Sequence, residues 1–231
     1  NNNKPKKEKE FRFLSTFKWE RRKGWDILLD AYWSTFTKSD DVILVLRTYV
    51  PSFSYEHTNI TAHIEKYALD KFNKSPSELA RVVWEKGEDQ SLLSDSLTRA
   101  DMRDLLASVD CFVLPTRGEG WGLPIAEAMS MQLPVIVTNA TGPQAFANNE
   151  NAYLLPVLEQ LDDMSFVQPD VTALKSILRE VIKDAGPDGA GKAQRKALKA
   201  REKMKEISPE YVSGLMAERL RIESSRRGFN L

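Results

Sequence analysis

Two glutamates eight positions apart, Glu119 and Glu127, stand in the run T-R-G-E-G-W-G-L-P-I-A-E-A-M of Thr116–Met129. Glu119 lies among Gly118, Gly120 and Gly122, and glycines there permit positive φ and a close approach of backbone to a ligand. Cys111–Leu114 before the turn is a short apolar run of strand type. Ile125–Met131 after it has helical periodicity, with Pro124 in the first turn. The order is therefore strand, glycine turn, helix, with one carboxylate in the turn and one a turn into the helix. The free N–H groups and positive dipole end of a helix start favour a phosphate or diphosphate. A carboxylate accepts hydrogen bonds from vicinal hydroxyls, each charge-assisted bond being worth roughly 1.5–3 kcal/mol net. The pattern suits a ligand with phosphate at one end and hydroxyls at the other. A tight turn whose glutamates cap the helix or face solvent is the plainer reading, and the strand Pro134–Thr138 that follows argues against it.

A second cluster, Lys18 and Arg21-Arg22-Lys23-Gly24, follows the first expected strand. Cations between a strand end and a helix start can neutralise a diphosphate leaving group. A solvated charged loop is the bland alternative, which the cluster by itself favours and its place beside a parallel sheet weakens. Thr141-Gly142-Pro143 reads first as a structural turn near the same crevice. Trp121, inside the glycine turn, could shape a sugar pocket, whereas Trp19, Trp25, Trp33 and Trp84 read as packing. His57 and His63 fall in or beside a surface helix and are given no catalytic role.

The elements that must position these groups alternate. Strands are expected at Phe11–Phe17, Val42–Leu46, Val82–Trp84, Leu92–Leu93, Cys111–Leu114 and Pro134–Thr138. Helices are expected at Trp25–Phe36, Ile60–Phe72, Thr98–Ser108, Val171–Asp184, Ala190–Ile207 and Pro209–Ser225, with Thr98 as N-cap and Asp101 at N3. Strand–helix alternation with continuous apolar strands predicts an α/β fold, a doubly wound parallel sheet with C-terminal helices. In such a sheet ligands bind where strand carboxyl ends meet the following helix starts. The turn Gly186–Gly191 separates late helices, residues 1–10 read as a linker or disordered edge, and residues 11–231 read as one domain.

Composition narrows the partners. The chain has 231 residues, 42% apolar and 29% charged, with 33 Lys+Arg against 33 Asp+Glu. Balanced charge offers no footprint for nucleic acid. One cysteine and two histidines supply neither an internal disulfide nor a zinc spacing. No apolar run reaches transmembrane length, and a soluble, cytoplasmic protein is the favoured expectation. The basic run Lys192–Lys205 could touch an acidic membrane surface weakly, with a solvated helix face as the stronger reading.

F-L-S-T-F-K-W-E-R-R-K-G-W, then D-C-F-V-L-P-T-R-G-E-G-W-G-L-P-I-A-E-A-M and L-P-V-I-V-T-N, resemble the C-terminal domain of family-four retaining glycosyltransferases of glycosyltransferase-B architecture. The resemblance runs from about Phe11 to Leu155 and centres on the E-x7-E motif, Glu119 to Glu127. It implies a Rossmann-like domain that binds a nucleotide-sugar donor (UDP-, GDP- or ADP-sugar) as substrate, with no metal or other cofactor. Glu127 would hold the ribose. Glu119 with Gly120, Trp121, Gly122 and Leu123 would lie against the donor sugar and diphosphate, and Lys23, in the family's K-G motif, would bind the diphosphate. The family's usual Gly-Arg pair after the first strand is Phe17-Lys18 here, so Lys18 would stand in as a point charge without the bidentate fork. Acceptor binding would fall to an N-terminal domain of a longer parent, with the last helix packing back toward it. Two other classes remain open. A glycoside hydrolase would need its carboxyls about 5–10 Å apart across a sugar, and a non-catalytic nucleotide- or sugar-binding module would keep the signature without turnover.

Overall fold

Apolar runs alternate with amphipathic segments along the chain, and they fold as that alternation predicts. The computed structural model describes residues 10–50, 59–84, 98–161, 166–186 and 191–227. Six parallel strands form one sheet: β1 (Phe11–Lys18), β2 (Val42–Tyr49), β3 (Val82–Trp84), β4 (Cys111–Leu114), β5 (Val135–Thr138) and β6 (Tyr153–Leu155). Their order is β3-β2-β1-β4-β5-β6. The chain winds outward from β1 through β2 to β3, then crosses back to lay β4 on the other side of β1. The topological switch point therefore falls between β1 and β4, where the loops leaving their carboxyl ends diverge and open a crevice.

Every residue of β4 and β5 is buried, as is Phe13–Phe17 of β1, so both faces of the central strands are covered. Helix α1 (Trp25–Thr35) buries Ile27, Leu28, Leu29, Ala31, Tyr32 and Trp33. Its two polar aromatics keep partners: Tyr32 Oη donates to the Arg81 carbonyl at 3.0 Å and Trp33 Nε1 to the Ala80 carbonyl at 3.0 Å. These bonds tie the helix that starts at the crevice to the residues entering β3. Cys111 is fully buried, and burial pushes its thiol pKa well up, which makes it an inert core residue.

The other helices are α2 (Ile60–Phe72), α3 (Arg99–Ala107), α4 (Leu123–Ser130), α5 (Val171–Ala185), α6 (Lys192–Lys205) and α7 (Pro209–Arg226). Thr98 caps α3 in the expected capping box with Asp101. Helix α6 packs a stripe of Ala193, Ala197, Ala200 and Met204 inward, and α7 buries no residue. The basic run on α6 is largely consumed by the protein itself. Lys196 is buried, donating to the carbonyls of Ala152 (2.8 Å) and Asn149. Lys192 pairs with Glu180 and Asp184, Lys199 with Glu150, and Lys203 with Glu206. Among the described residues no helix is long and apolar enough to cross a membrane.

Several expectations needed correction. Strand β2 runs on to Tyr49, because Arg47 and Tyr49 fall on its partly exposed positions. Sequence periodicity missed β6 and an antiparallel hairpin, β7 (Val157–Gln160) with β8 (Val167–Pro169). Each is only three or four residues long, prolines interrupt the stretch, and all four residues of β7 are exposed, so no apolar period marks them. The expected strand Leu92–Leu93, His57, residues 1–9 and the middle of the 186–191 turn lie outside the described residues.

Helix α5 lies against α1, so its stability bears on the crevice. Asp170 caps α5, its carboxylate accepting from the backbone N–H groups of Thr172 (2.8 Å) and Ala173 (3.0 Å). Asp170→Ala is expected to lower stability by about 1 kcal/mol, read as a shift in the urea unfolding midpoint at unchanged slope.

Candidate functional site at the sheet switch point

The crevice is walled by two loops, Trp19–Gly24 after β1 and Pro115–Gly122 after β4. Each ends in a left-handed glycine that starts a helix: Gly24 (φ 74°) before α1 and Gly122 (φ 93°) before α4. Neither helix has a side-chain cap. By contrast Asn59, Thr98, Asp170 and Ser208 cap α2, α3, α5 and α7; α6, away from the crevice, is also uncapped. Two helix starts without a side-chain cap thus lie at one end of the sheet, and their positive dipole ends attract anions.

The loops meet through charge. Lys23 Nζ stands 2.5 Å from Glu119 Oε1, with the side chains only 10% and 7% exposed. Arg22 Nη1 donates to the Gly118 carbonyl at 3.1 Å and pairs with Glu20 at 2.8 Å. Thr116 Oγ1 donates to the Arg22 carbonyl at 3.0 Å, and the Arg117 N–H does the same at 2.6 Å. Gly24 is required here twice over: its φ is positive, and a Cβ would lie 2.0 Å from the Pro115 carbonyl oxygen.

The glycine turn is anchored from a third side. The Glu119 N–H donates to Thr141 Oγ1 at 3.1 Å, and the Gly142 N–H to the Glu119 carbonyl at 3.0 Å. Thr141 itself adopts a positive φ of 59°, opening a 3-10 turn at Gly142–Ala145. A Cβ at Gly142 would meet the Gly120 carbonyl at 2.1 Å, so this turn sits directly on Glu119–Trp121. The structural reading of Thr141-Gly142-Pro143 holds, and its structural role is to support the site. Nothing lies within 4 Å of the space a Cβ would take at Gly120, which leaves that face of the turn open.

Glu127 stands exposed on the second turn of α4. Partial desolvation of its stem raises its carboxyl pKa above the ordinary value. Trp121 is 41% exposed, its ring centroid 5.1 Å from that of Phe146, and Leu123 is 66% exposed. Lys18 ends β1 opposite Tyr49, at the same end of the sheet and half-buried. The structure thus brings Lys23 and Glu119 into contact and sets Gly120–Leu123 and Glu127 along one strand–turn–helix unit. His63, given no catalytic role, accepts a hydrogen bond from Trp19 Nε1 at 3.2 Å within a stack of Trp19 and Trp25. No group of three or more potential metal ligands occurs among the described residues.

Sequence reading missed Arg117. This residue is buried, and its two terminal nitrogens each lie 2.8 Å from one oxygen of Asp26. It also missed the contact of hairpin β7–β8 with the site. The Val167 N–H donates to the Arg117 carbonyl at 2.9 Å, and a Cβ on Gly118 would come within 2.6 Å of the Phe166 ring. The sole sequence signal for these is Asp26 in the first turn of α1, a carboxylate near a helix start that calls for a partner cation if it is buried.

Residues 71–168 match the family model described as Glycosyl transferases group 1. That span includes Glu119, Glu127 and all of the hairpin's strand residues but Pro169; Lys18 and Lys23 precede it. Over 64 residues, 28% of this chain, the sequence is 41% identical to the UDP-Gal:alpha-D-GlcNAc-diphosphoundecaprenol alpha-1,3-galactosyltransferase of Escherichia coli, of which the matched segment is 16%. Among solved structures, Anabaena Alr3699/HepE in complex with UDP and glucose superposes with a TM-score of 0.65 at 17% identity, covering 92% of this chain and 48% of that one. The C-terminal domain of the group 1 glycosyl transferase LpcC from Francisella tularensis does so with a TM-score of 0.56 at 16% identity, covering 84% of each. This chain spans about half the length of the full-length neighbour and nearly the whole of the isolated domain. Residues 71–168 are thus similar to the group 1 glycosyl transferases, and the chain shares the α/β Rossmann-like fold of these solved structures.

Proposed function

We propose that this chain is the donor-binding half of a retaining, metal-independent glycosyltransferase that takes a nucleotide-diphosphate sugar. The observation that carries the reading is the meeting of Lys23 and Glu119 between two uncapped helix starts at the sheet switch point. Cation and helix starts suit a diphosphate, the turn carboxylate suits sugar hydroxyls, and Glu127, one turn further, suits the ribose. Uridine is the base favoured for a first test: Alr3699/HepE was solved with UDP and with UDP-glucose, and the name of the E. coli relative contains UDP-Gal.

In this reading the bond between the sugar's anomeric carbon and the diphosphate oxygen breaks, and the nucleoside diphosphate leaves with the electron pair. Lys23 and the positive dipole end of α4 stabilise the charge that develops on the departing phosphate; Lys18 adds a second cation at the end of β1. Glu119 holds the sugar by its hydroxyls. The acceptor hydroxyl bonds to the anomeric carbon from the face that the phosphate leaves, and its proton passes to the phosphate. Acceptor recognition belongs to residues outside this chain, so the isolated chain binds donor without useful transfer.

Calorimetry with UDP, GDP and ADP tests the reading. UDP should bind, and Glu127→Gln should abolish or strongly weaken it; no binding of any of the three would sink the donor assignment in favour of an interaction module. The pH dependence follows from the raised carboxyl of Glu127. Ribose hydroxyls need the ionised form as acceptor, so UDP affinity should begin to fall at a higher pH than an ordinary carboxylate would give. The stability sign is opposite. A carboxyl whose folded pKa is raised contributes stability below its unfolded pKa and loses it as pH rises through the folded value. Glu127→Gln should therefore leave neutral-pH stability unchanged or slightly higher while binding is lost.

The Lys23–Glu119 pair makes a separate prediction. Glu119→Ala leaves Lys23 buried beside nothing of opposite charge and should cost about 3 kcal/mol, whereas Lys23→Met with Glu119→Leu should cost clearly less by denaturant titration. Glu119→Gln, which removes the competing carboxylate charge but keeps an acceptor, should bind free UDP at least as tightly as the unmodified chain. Weaker UDP binding by that variant would mean that Glu119 does not compete with the diphosphate for Lys23.

A further inference from the structure

We propose that Arg117 is a positioning residue of the donor site, gripping both ends of the turn that carries Lys23 and so fixing Lys23 against Glu119. The inference rests on the donor-site reading above for its consequence, and on geometry for its substance. From the loop after β4, Arg117 Nη1 reaches the Arg21 carbonyl at 2.7 Å, ahead of Lys23. The same guanidinium forks onto both Asp26 oxygens, behind Lys23, at 2.8 Å each. Lys23 lies between these two holds. The Arg117 main chain adds a bond to the Arg22 carbonyl, and its own carbonyl is held by β8 through Val167.

The pair has a second effect. Asp26 is the acidic residue in the first turn of α1, where a bare carboxylate would occupy the positive end of the helix and repel an incoming diphosphate. Paired with Arg117 it carries no net charge into the crevice, so the helix start stays available to an anion. A lysine at 117 could neutralise Asp26 but could not reproduce a planar fork with a simultaneous third bond to the Arg21 carbonyl. Arginine is thus specified by geometry and not by charge alone. Hairpin β7–β8, which braces Arg117 from outside, is tied to the same function.

Two readouts on the full chain test this, one without ligand. In Arg117→Lys, hydrogen exchange at the Lys23 and Gly24 amides should accelerate, while α5 and α6 exchange as before. UDP affinity should drop by about tenfold, the scale of one misplaced charged hydrogen bond. Lys23→Ala should then cost much less UDP affinity in the Arg117→Lys background than in the unmodified chain, because the lysine is already displaced. Arg117→Ala should be worse on each count; where it fails to fold, Arg117→Lys and Asp26→Asn carry the test. Unchanged exchange at Lys23 and Gly24, or equal Lys23→Ala losses in both backgrounds, would overturn the inference and leave Arg117 a general stabiliser. Failure of the unmodified chain to bind UDP, with exchange altered as expected, would instead strike the donor assignment and keep the mechanical role.

Discussion

A lysine and a glutamate buried against each other across a sheet switch point set the terms for the rest of this structure. Neither Lys23 nor Glu119 could be left at its low exposure alone, because an uncompensated buried charge costs several kcal/mol. Each must therefore arrive opposite the other, and the two come from loops nearly a hundred residues apart in the chain. The sheet order brings the loops to one end, but strand register alone would leave them diverging. Close approach is achieved by glycine where side chains would collide: Gly24 beneath the Pro115 carbonyl, Gly118 against Phe166, Gly142 on the Gly120 carbonyl. Hydrogen bonds through Thr116, Arg22, Arg117 and Thr141 then close the gap. The glycine richness of the turn is a packing requirement as much as a means of admitting ligand.

What could be read from sequence follows the same division. Local signals were legible. Continuous apolar strands and amphipathic helices gave the sheet and its helices, and a Thr-x-x-Asp box gave the start of α3 within a residue. Glu119 and Glu127 were legible because both belong to one strand–turn–helix unit, whose internal spacing fixes their placement. Lys23 was legible as a cation at a strand end, but its buried partnership was not, since pairing is a property of two loops. Arg117 was invisible for the same reason: it lies beside Gly118 in the motif, yet every side-chain bond it makes is to residues some fifty or more positions away. The hairpin failed differently. Its exposed β7 has no apolar period, and its contribution is made through backbone bonds and one ring, which composition does not encode.

The helix starts show how the protein distributes its positive ends. Four helices neutralise theirs with a side-chain oxygen, while α1 and α4, whose starts lie at the crevice, begin with left-handed glycine and no side-chain cap. A helix gives up about 1 kcal/mol by forgoing such a cap, so leaving both crevice helices uncapped sacrifices local stability there, as it does at α6. Glu127 repeats the pattern: partial burial disfavours its charged form and raises its carboxyl pKa. Asp26 marks the limit of this tolerance. It is an acid in the first turn of α1, where it would fill the very positive end left open, and it is the one that is clamped by a buried arginine. Near the two crevice helix starts Asp26 is paired with Arg117 and Lys23 with Glu119, while neither start carries a side-chain cap, an arrangement that suits an anion arriving from outside. That selective neutralisation is the physical basis for treating the crevice as a binding site and not as an ill-capped corner of the sheet.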